Sequence, residues 1–469
     1  MTNWLPDLSA GEGPLYLKLA QSIEAAIDSG ALPPGEKLPA QRNLAFDIGV
    51  TLGTVSRAYA LVHERGLVAG EVGRGTYVRE RKAHTDTPTG GIRSLAGTQP
   101  FEAPVGKLRF DATGAPHVGQ AAAIEAILTK VAADHPTEIS DYTRSAPGHW
   151  QEAGALWMAR AGWTPETEGI VVTQGAHAAI VSVVTAVTAP GDRILFENLT
   201  YSQVARALSL MGRRILAGET DAQGLVPDDF ERICQQQHPA VVFLMPTLQN
   251  PTLAAMDRAR RETIANLARR YNVLVIEDDI YGVLLNDTQP MLASLAPERT
   301  FVISGLSKSV SPGVRGGWVS CPPHFAARVK IAHKMLTGGT AFLLAECAAR
   351  LVLSGEAKAI RTRVVAELQA RETLARAIFE GHTFRSLPQI PFLWLQLPEP
   401  WLSGTFKAAA FDAGVLIDGE DEFKAGRSDK VHHRARIAFS NHGSDDIRRG
   451  FQLLRNVLDG GVAGYDSAS

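Results

Sequence analysis

Cysteine is scarce in this chain: Cys234, Cys321 and Cys347 are its only three in 469 residues, widely spaced and without a C-x-x-C pair. That excludes a disulfide framework and a thiolate zinc site, and it suits a reducing compartment. Charge of one sign is lacking as well, with a formal net charge of −2. Without a global basic excess, nucleic acid as a partner has to rest on a local site. No stretch of about eighteen apolar residues occurs, and the start, MTNWLPDLSAGEG, has neither a basic n-region nor an apolar h-region. The expectation is a soluble, cytoplasmic protein with no membrane partner and no metal. What the chain does have is a hydrophobic fraction of 45% over a length that calls for two or three domains.

The first 80 residues read as a small helical module. Leu15, Leu19, Ile23 and Ile27 fall four apart, the stripe of one buried helix face, and Gly30 ends it. LPPGEKLP turns the chain into a second short helix, opened by Leu38-Pro39, with Leu44, Ala45 and Ile48 inward; Gly49 stops it, and Val50-Thr51 opens a third. On that third helix Thr51, Gly53, Thr54, Ser56 and Arg57 leave the packed face, short polar residues and one arginine that suit entry into a major groove. LVAGEVGRGTYV then alternates and turns on Gly73-Arg74-Gly75, a two-stranded wing. Residues 1–36 hold one Lys and five acids, net −4, whereas residues 37–82 hold eight Lys/Arg and four acids, net +4, so positive charge gathers on the DNA-facing half. Helix-turn-helix geometry also occurs in proteins that bind no DNA. The stretch 14–78 nonetheless resembles the winged helix-turn-helix of GntR-type transcription regulators, through PLY, LPPGEKLPAQRNLA, VTLGTVSRAY and GxGTYV. The resemblance implies that Arg42, Thr51, Thr54, Ser56 and Arg57 face double-stranded operator DNA, with Gly73, Arg74, Gly75 and Thr76 on the backbone or minor groove. Residues 81–105, rich in Gly, Pro and Thr, read as a flexible linker.

From 106 to about 330, apolar strands alternate with amphipathic helices, which predicts an α/β part with a mostly parallel sheet covered on both faces and a ligand at the strands' carboxyl ends. Four stretches stand at such ends. Thr173-Gln174-Gly175-Ala176-His177 offers free N–H groups at a helix start, an anion cup. Asn250-Pro251 follows the strand ending at Met245, and Asp278-Asp279-Ile280-Tyr281 follows VLVIE. FVISGLSKSVSPGVRGGW carries Lys308 among Ser307, Ser309 and Ser311, with Arg315 seven residues on. Each alone has a plain reading as a turn, a helix cap or a surface charge. Together they offer an amine for a Schiff base, a carboxylate for a pyridine nitrogen, an amide and a phenol for a ring oxygen, and an anion site, the set that pyridoxal 5′-phosphate requires.

From about 108 onward the chain resembles the aspartate-aminotransferase-like, fold type I pyridoxal-phosphate enzymes. The resemblance implies that Lys308 is the catalytic amine that bonds the cofactor and that Asp278 pairs with its ring nitrogen. Asn250 and Tyr281 would hold the ring hydroxyl, and Tyr201 would stack on the ring. Ala176, His177, Ser307 and Arg315 would bind the phosphate, and Tyr142 would reach the site of a homodimer partner. Four departures stand out: Gly305 where a phosphate-binding hydroxyl is common, Ala176 where Ser is common, Leu253 where Gly is usual, and the absence of the familiar Leu-Arg after Gly148.

The remainder, 331–469, reads as helices on a small sheet: a long helical pattern over about 340–380, FLWLQL, a helix over 402–413, VLIDG, RARIAFS and a final helix. Arg436 matches the family arginine that grips a substrate carboxylate, and Arg434, two residues away on the same strand face, is the rival. A winged helix tethered to an aminotransferase-like domain resembles the MocR-type subgroup of GntR regulators. The resemblance implies a transcription regulator that senses an amino acid, an amine or pyridoxal phosphate itself by an external-aldimine-type exchange at Lys308. The alternative is a working aminotransferase with an accessory DNA module. A third reading, the fold as a cofactor-free dimerisation platform, stands behind both.

Overall fold

The computed structural model describes residues 4–6, 8, 14–64, 67–71, 75–78, 106–399, 401–426 and 430–460, with backbone alone at 64, 69–71 and 75. The chain separates into two compact units, Met1–Ala96 and Gly97–Ser469. The division falls inside the segment expected to be a linker, which lies outside the described residues.

The first unit is three helices and a wing. Helix Leu15–Asp28 buries Leu19, Ala20, Ile23 and Ala26. Leu15, expected in that stripe, is 50% exposed, because the helix begins with it and the packed face starts one turn later. The second helix is Gln41–Asp47. It opens two residues after Pro39, because Leu38 instead ties to the wing through its N–H on the Thr76 carbonyl, 2.8 Å. The third, Leu52–Glu64, is capped by Thr51, whose Oγ1 accepts the Thr54 N–H at 3.2 Å and meets the Thr54 hydroxyl at 2.9 Å. Val55, Ala58, Tyr59 and Val62 are its buried face, and the Tyr59 hydroxyl donates to the Pro39 carbonyl at 2.7 Å, fixing the angle between helices. Strands Val68–Glu71 and Gly75–Val78 pair antiparallel, as the alternation predicts.

The second unit is built on a seven-stranded sheet in the order Ile170–Thr173, Gly317–Ser320, Thr300–Gly305, Leu274–Asp278, Val241–Leu244, Arg193–Glu197, Arg214–Gly218. Only Gly317–Ser320 runs against the others. The sheet's five inner strands are buried on both faces (Val241 to Leu244 and Thr300 to Gly305 throughout), the pattern of a sheet covered by helices on both sides. Because the other strands are parallel, their carboxyl ends share one edge. The antiparallel strand begins at that same edge, two residues after Arg315.

A four-stranded sheet, Phe384–Arg385, Phe392–Gln396, Arg434–Ala438 and Asp418–Gly419 in that order, forms the small part. The long helical pattern of 340–380 is two helices, Phe342–Leu353 and Glu356–Ile378, broken where Gly355 adopts φ +85°. Residues 108–110, expected in the large part, pack with the small one: Leu108–Arg109 pairs parallel with Val415–Leu416, and the Ala438 N–H bonds to the Phe110 carbonyl at 2.8 Å. The start of the unit thus belongs with its end, which a strand of two residues is too short to signal by periodicity. Among the described residues no helix is long and apolar enough to cross a membrane.

Candidate functional site

Lys308 follows the strand Thr300–Gly305, and its half-buried side chain stands at the shared edge. Its Nζ donates to Thr113 Oγ1 at 2.9 Å and lies 5.8 Å from the centre of the Tyr281 ring. Tyr281 donates to the same Thr113 oxygen at 2.8 Å, so one hydroxyl oxygen accepts from both the amine and the phenol. Sequence reasoning missed Thr113; it lies in FDATGAP, a segment with no sustained period to place it.

Three consecutive acids stand at the end of the neighbouring strand Leu274–Asp278 and just past it, and each does different work. Glu277 caps the short helix Leu292–Leu295 by accepting the Leu292 and Ala293 N–H groups, both at 3.1 Å. Asp279 pairs with Arg160, whose Nη2 also reaches Thr247 Oγ1 at 2.7 Å. Asp278 is 4% exposed; its Oδ1 accepts the Ile280 N–H at 3.1 Å, and Oδ2 has no hydrogen-bond partner among the described residues. Burial pushes its carboxyl up to about 7, with the charge of Asp279 adding to the rise and that of Lys308 opposing it. A buried carboxylate with a free oxygen calls for a positively charged N–H donor.

Desolvation draws the Lys308 amine down to about 8, with the charges of Arg436 and Arg315 assisting. Below that pH the amine is protonated and inert as a nucleophile, and above it the free base dominates. Labelling of Lys308 in the cofactor-free chain by an amine-selective acylating reagent, read by peptide mass spectrometry, is therefore expected to rise through pH about 8. A lysine that labels only with the ordinary surface lysines, about two pH units higher, contradicts this.

The turn expected to hold an anion stands at the start of a helix beside Arg315. Gly175, at φ +86°, starts the helix Ala176–Val187, whose first N–H groups have no intrahelical acceptor. Arg315 bonds the Gln174 carbonyl at 3.3 Å, and its guanidinium carbon would lie 3.5 Å from a β-carbon placed on Gly175. His177 and Tyr201 pack edge to face at 6.3 Å between ring centres, and burial lowers the His177 pKa while raising that of Tyr201. Ser307 holds the loop through its carbonyl, which accepts the Ala115 N–H at 2.9 Å. Gly305 could carry no hydroxyl here, since a β-carbon would stand 2.7 Å from the Gly316 carbonyl oxygen. Leu253 takes φ +59°, the left-handed geometry in which Gly costs least.

Asn250, 3% exposed, accepts from Arg436 Nη1 at 2.9 Å. Arg436 is buried; Arg434 is half-buried, and its Nη2 reaches Gln396 Oε1 at 3.4 Å. Only Arg436 joins the cluster, but it is paired with Asp418, directly opposite on the adjacent strand. Tyr142 is 85% exposed, the disposition of a side chain that reaches outward. In the first unit Arg42, Thr51, Ser56 and Arg57 are exposed and Thr54 is half-buried. Thr76 is half-buried in the wing strand that Gly75 begins, while Gly73 and Arg74 lie outside the described residues.

Lys308, Asp278, Tyr281, Arg315 and Arg436 thus lie near enough for their charges to act on one another, with Asn250 bonded to Arg436 and the Gly175 helix start beside Arg315. The open Asp278 oxygen, the desolvated amine and the anion cup fit pyridoxal phosphate at its ring nitrogen, aldehyde and phosphate.

Residues 112–450 match the model of the aminotransferase class I and II family, and residues 15–78 match that of the bacterial regulatory proteins of the gntR family. The HTH-type transcriptional regulator YdeF of Bacillus subtilis is 27% identical over 97% of both chains. The HTH-type transcriptional regulator TauR of Rhodobacter capsulatus is 25% identical over 96% of this chain and 97% of its own. Among solved structures, an archaeal alanine:glyoxylate aminotransferase aligns with a TM-score of 0.68 at 20% identity, covering 76% of this chain and 91% of its own. The multiple substrate aminotransferase of Thermococcus profundus aligns with the same score at 21% identity, over 79% and 97%. At those identities the structural likeness concerns the fold, which is that of fold type I. The chain therefore belongs to the pyridoxal-phosphate-dependent aminotransferase class I and II family and, carrying a gntR-family helix-turn-helix in front of that domain, has the architecture of the MocR-type transcriptional regulators.

Proposed function

We propose that this regulator reads the amine content of its surroundings at Lys308 and reports it through a pair of DNA-reading units presented by a homodimer. The observation that carries the reading is the desolvated Lys308 amine, set on Thr113 and facing the buried Asp278. Pyridoxal phosphate, when bound, supplies an aldehyde that reacts reversibly with primary amines, so a ligand amine and Lys308 compete for one carbon. The chain's own part is to hold: Asp278 the ring nitrogen, Asn250 and Tyr281 the ring oxygen, Tyr201 the ring face. Ala176, His177, Ser307 and Arg315 hold the phosphate, and Tyr142 serves the partner's site. Ligand affinity that differs between two arrangements of the small part would shift their populations, and with them the presentation of the helices Leu52–Glu64 to two operator half-sites.

The test is footprinting of the full chain on the DNA upstream of its own coding region, with and without pyridoxal phosphate and amine. Arg57, exposed near the start of its helix, is assigned a direct DNA contact. Arg57→Ala is expected to weaken protection about 10- to 100-fold, and to reduce the salt dependence by about one ion if the contact is to phosphate. Protection that is absent at every salt concentration, or equal in the variant, counts against the reading.

The intact Lys308 and Asp278 also support a working aminotransferase as the second reading. Sustained turnover of an amino acid with a 2-oxo acid, and no operator, would favour it.

A further inference from the structure

The arginine expected to grip a ligand carboxylate already holds one. Asp418 and Arg436 are cross-strand partners, Cα opposite Cα, and their side chains form a buried ion pair. Arg436 Nη2 donates both to the Asp418 carboxylate and to the Asp111 carbonyl oxygen at 2.8 Å, and Nη1 donates to Asn250 Oδ1 at 2.9 Å. A guanidinium has two edges able to take a carboxylate two-pronged, Nε with Nη2 and Nη1 with Nη2. Both need an Nη2 hydrogen, and both Nη2 hydrogens are committed. The Phe423 and Phe392 rings lie 4.7 Å and 5.5 Å from the guanidinium carbon. The neighbouring charges are likewise paired within the chain, Asp111 with Arg109 and Glu422 with Lys407.

We propose that Asp418 is the built-in occupant of the Arg436 clamp, and that the ligand class this site takes is a primary amine without an α-carboxylate. The inference rests on the reading that ligand amines meet the cofactor at Lys308. An amino acid would have to evict a buried carboxylate from that arginine, or leave its own carboxylate unpaired; each course is costly. An amine asks for neither. Its remaining substituent meets a pocket in which Arg436 and Asp418 cancel, so Asp418 acts as a specificity residue through Arg436.

The experiment is spectral titration of the pyridoxal-phosphate-loaded full chain with matched pairs: L-leucine against 3-methylbutylamine, L-phenylalanine against 2-phenylethylamine, and L-ornithine against 1,4-diaminobutane. Calorimetry gives the same dissociation constants independently. Each amine is expected to bind at least about 10-fold more tightly than its amino acid. Asp418→Asn, which keeps the shape and frees the guanidinium's charge, is expected to erase or invert that preference through tighter amino-acid binding. Equal or tighter binding of amino acids by the unaltered chain overturns the proposal, whether or not the variant folds. A preference for amines that Asp418→Asn leaves unchanged overturns the role given to Asp418. A chain that shows no cofactor band, or a band that no amine perturbs, sinks the sensing reading itself and is thereby distinguished from a failure of the specificity claim alone.

Discussion

Lys308→Ala is expected to leave a folded protein that no longer retains pyridoxal phosphate through gel filtration and shows no visible cofactor absorbance. The side chain contributes a single hydrogen bond to the surrounding structure, Nζ to Thr113 at 2.9 Å. It is also a cation held below its ordinary pKa by desolvation, so its removal relieves a cost and stability should hold within about 1 kcal/mol. The cofactor, by contrast, would lose its proposed covalent anchor and keep the contacts assigned above to Asp278, Asn250, Tyr281, Tyr201 and the phosphate-binding residues. A fall in affinity of about 100-fold or more, about 2.7 kcal/mol, is expected. The measurement is the absorbance spectrum after desalting, with borohydride treatment and peptide mapping of the unaltered chain as the positive control. A variant that stays coloured, or a label that maps to another lysine, removes Lys308 from the centre of the site.

The second large effect is a stability effect at a glycine. Gly317 lies on the antiparallel strand between Thr173 and Gly305, and a β-carbon there would stand 2.6 Å from Gly175 Cα, 2.8 Å from its carbonyl carbon and 2.9 Å from its nitrogen. These are backbone atoms of a neighbouring turn, so no side-chain rotation relieves the clash. Gly317→Ala is expected to cost about 3 kcal/mol, read as a lower unfolding midpoint in urea. Because Gly175 precedes the helix proposed to cradle the phosphate, the variant should also weaken pyridoxal phosphate even where it remains folded. Gly316→Ala is the informative neighbour: its β-carbon meets the side chains of Ala348 and Leu306 at 2.8 and 2.9 Å and points away from Gly175. It should lower stability while sparing the cofactor. If Gly317→Ala costs nothing, the close approach of strand and cup is wrong.

The sheet and its edge were legible because apolar strands and the glycine, proline and acid that follow them are local signals. Gly175, Asn250, Asp278 and Lys308 each stand immediately past a run of buried residues, where chain direction alone fixes the edge. The first unit was legible for the same reason, with errors of a turn at Leu15 and of two residues at Pro39. What could not be read was whatever depends on two distant segments meeting. Thr113 touches Lys308 across 195 positions and Arg160 meets Asp279 across 119. Asp418 was in plain view in VLIDG, but its meaning lies in a strand pairing with Arg436 that no period reveals. Likewise Arg434 and Arg436 share a strand face, and only the depth of the sheet in the unit tells them apart.

The hydroxyl shared by the amine and the phenol stands eight residues beyond position 105, on the stretch by which the chain enters the second unit. That stretch is stitched by Leu108–Arg109 to Val415–Leu416, two residues before Asp418. When Lys308 changes partner, Thr113 keeps only the Tyr281 phenol as a donor on that same stretch. A change of partner at Lys308 is thus registered first on the stretch that opens the second unit and pairs with the strand just ahead of Asp418.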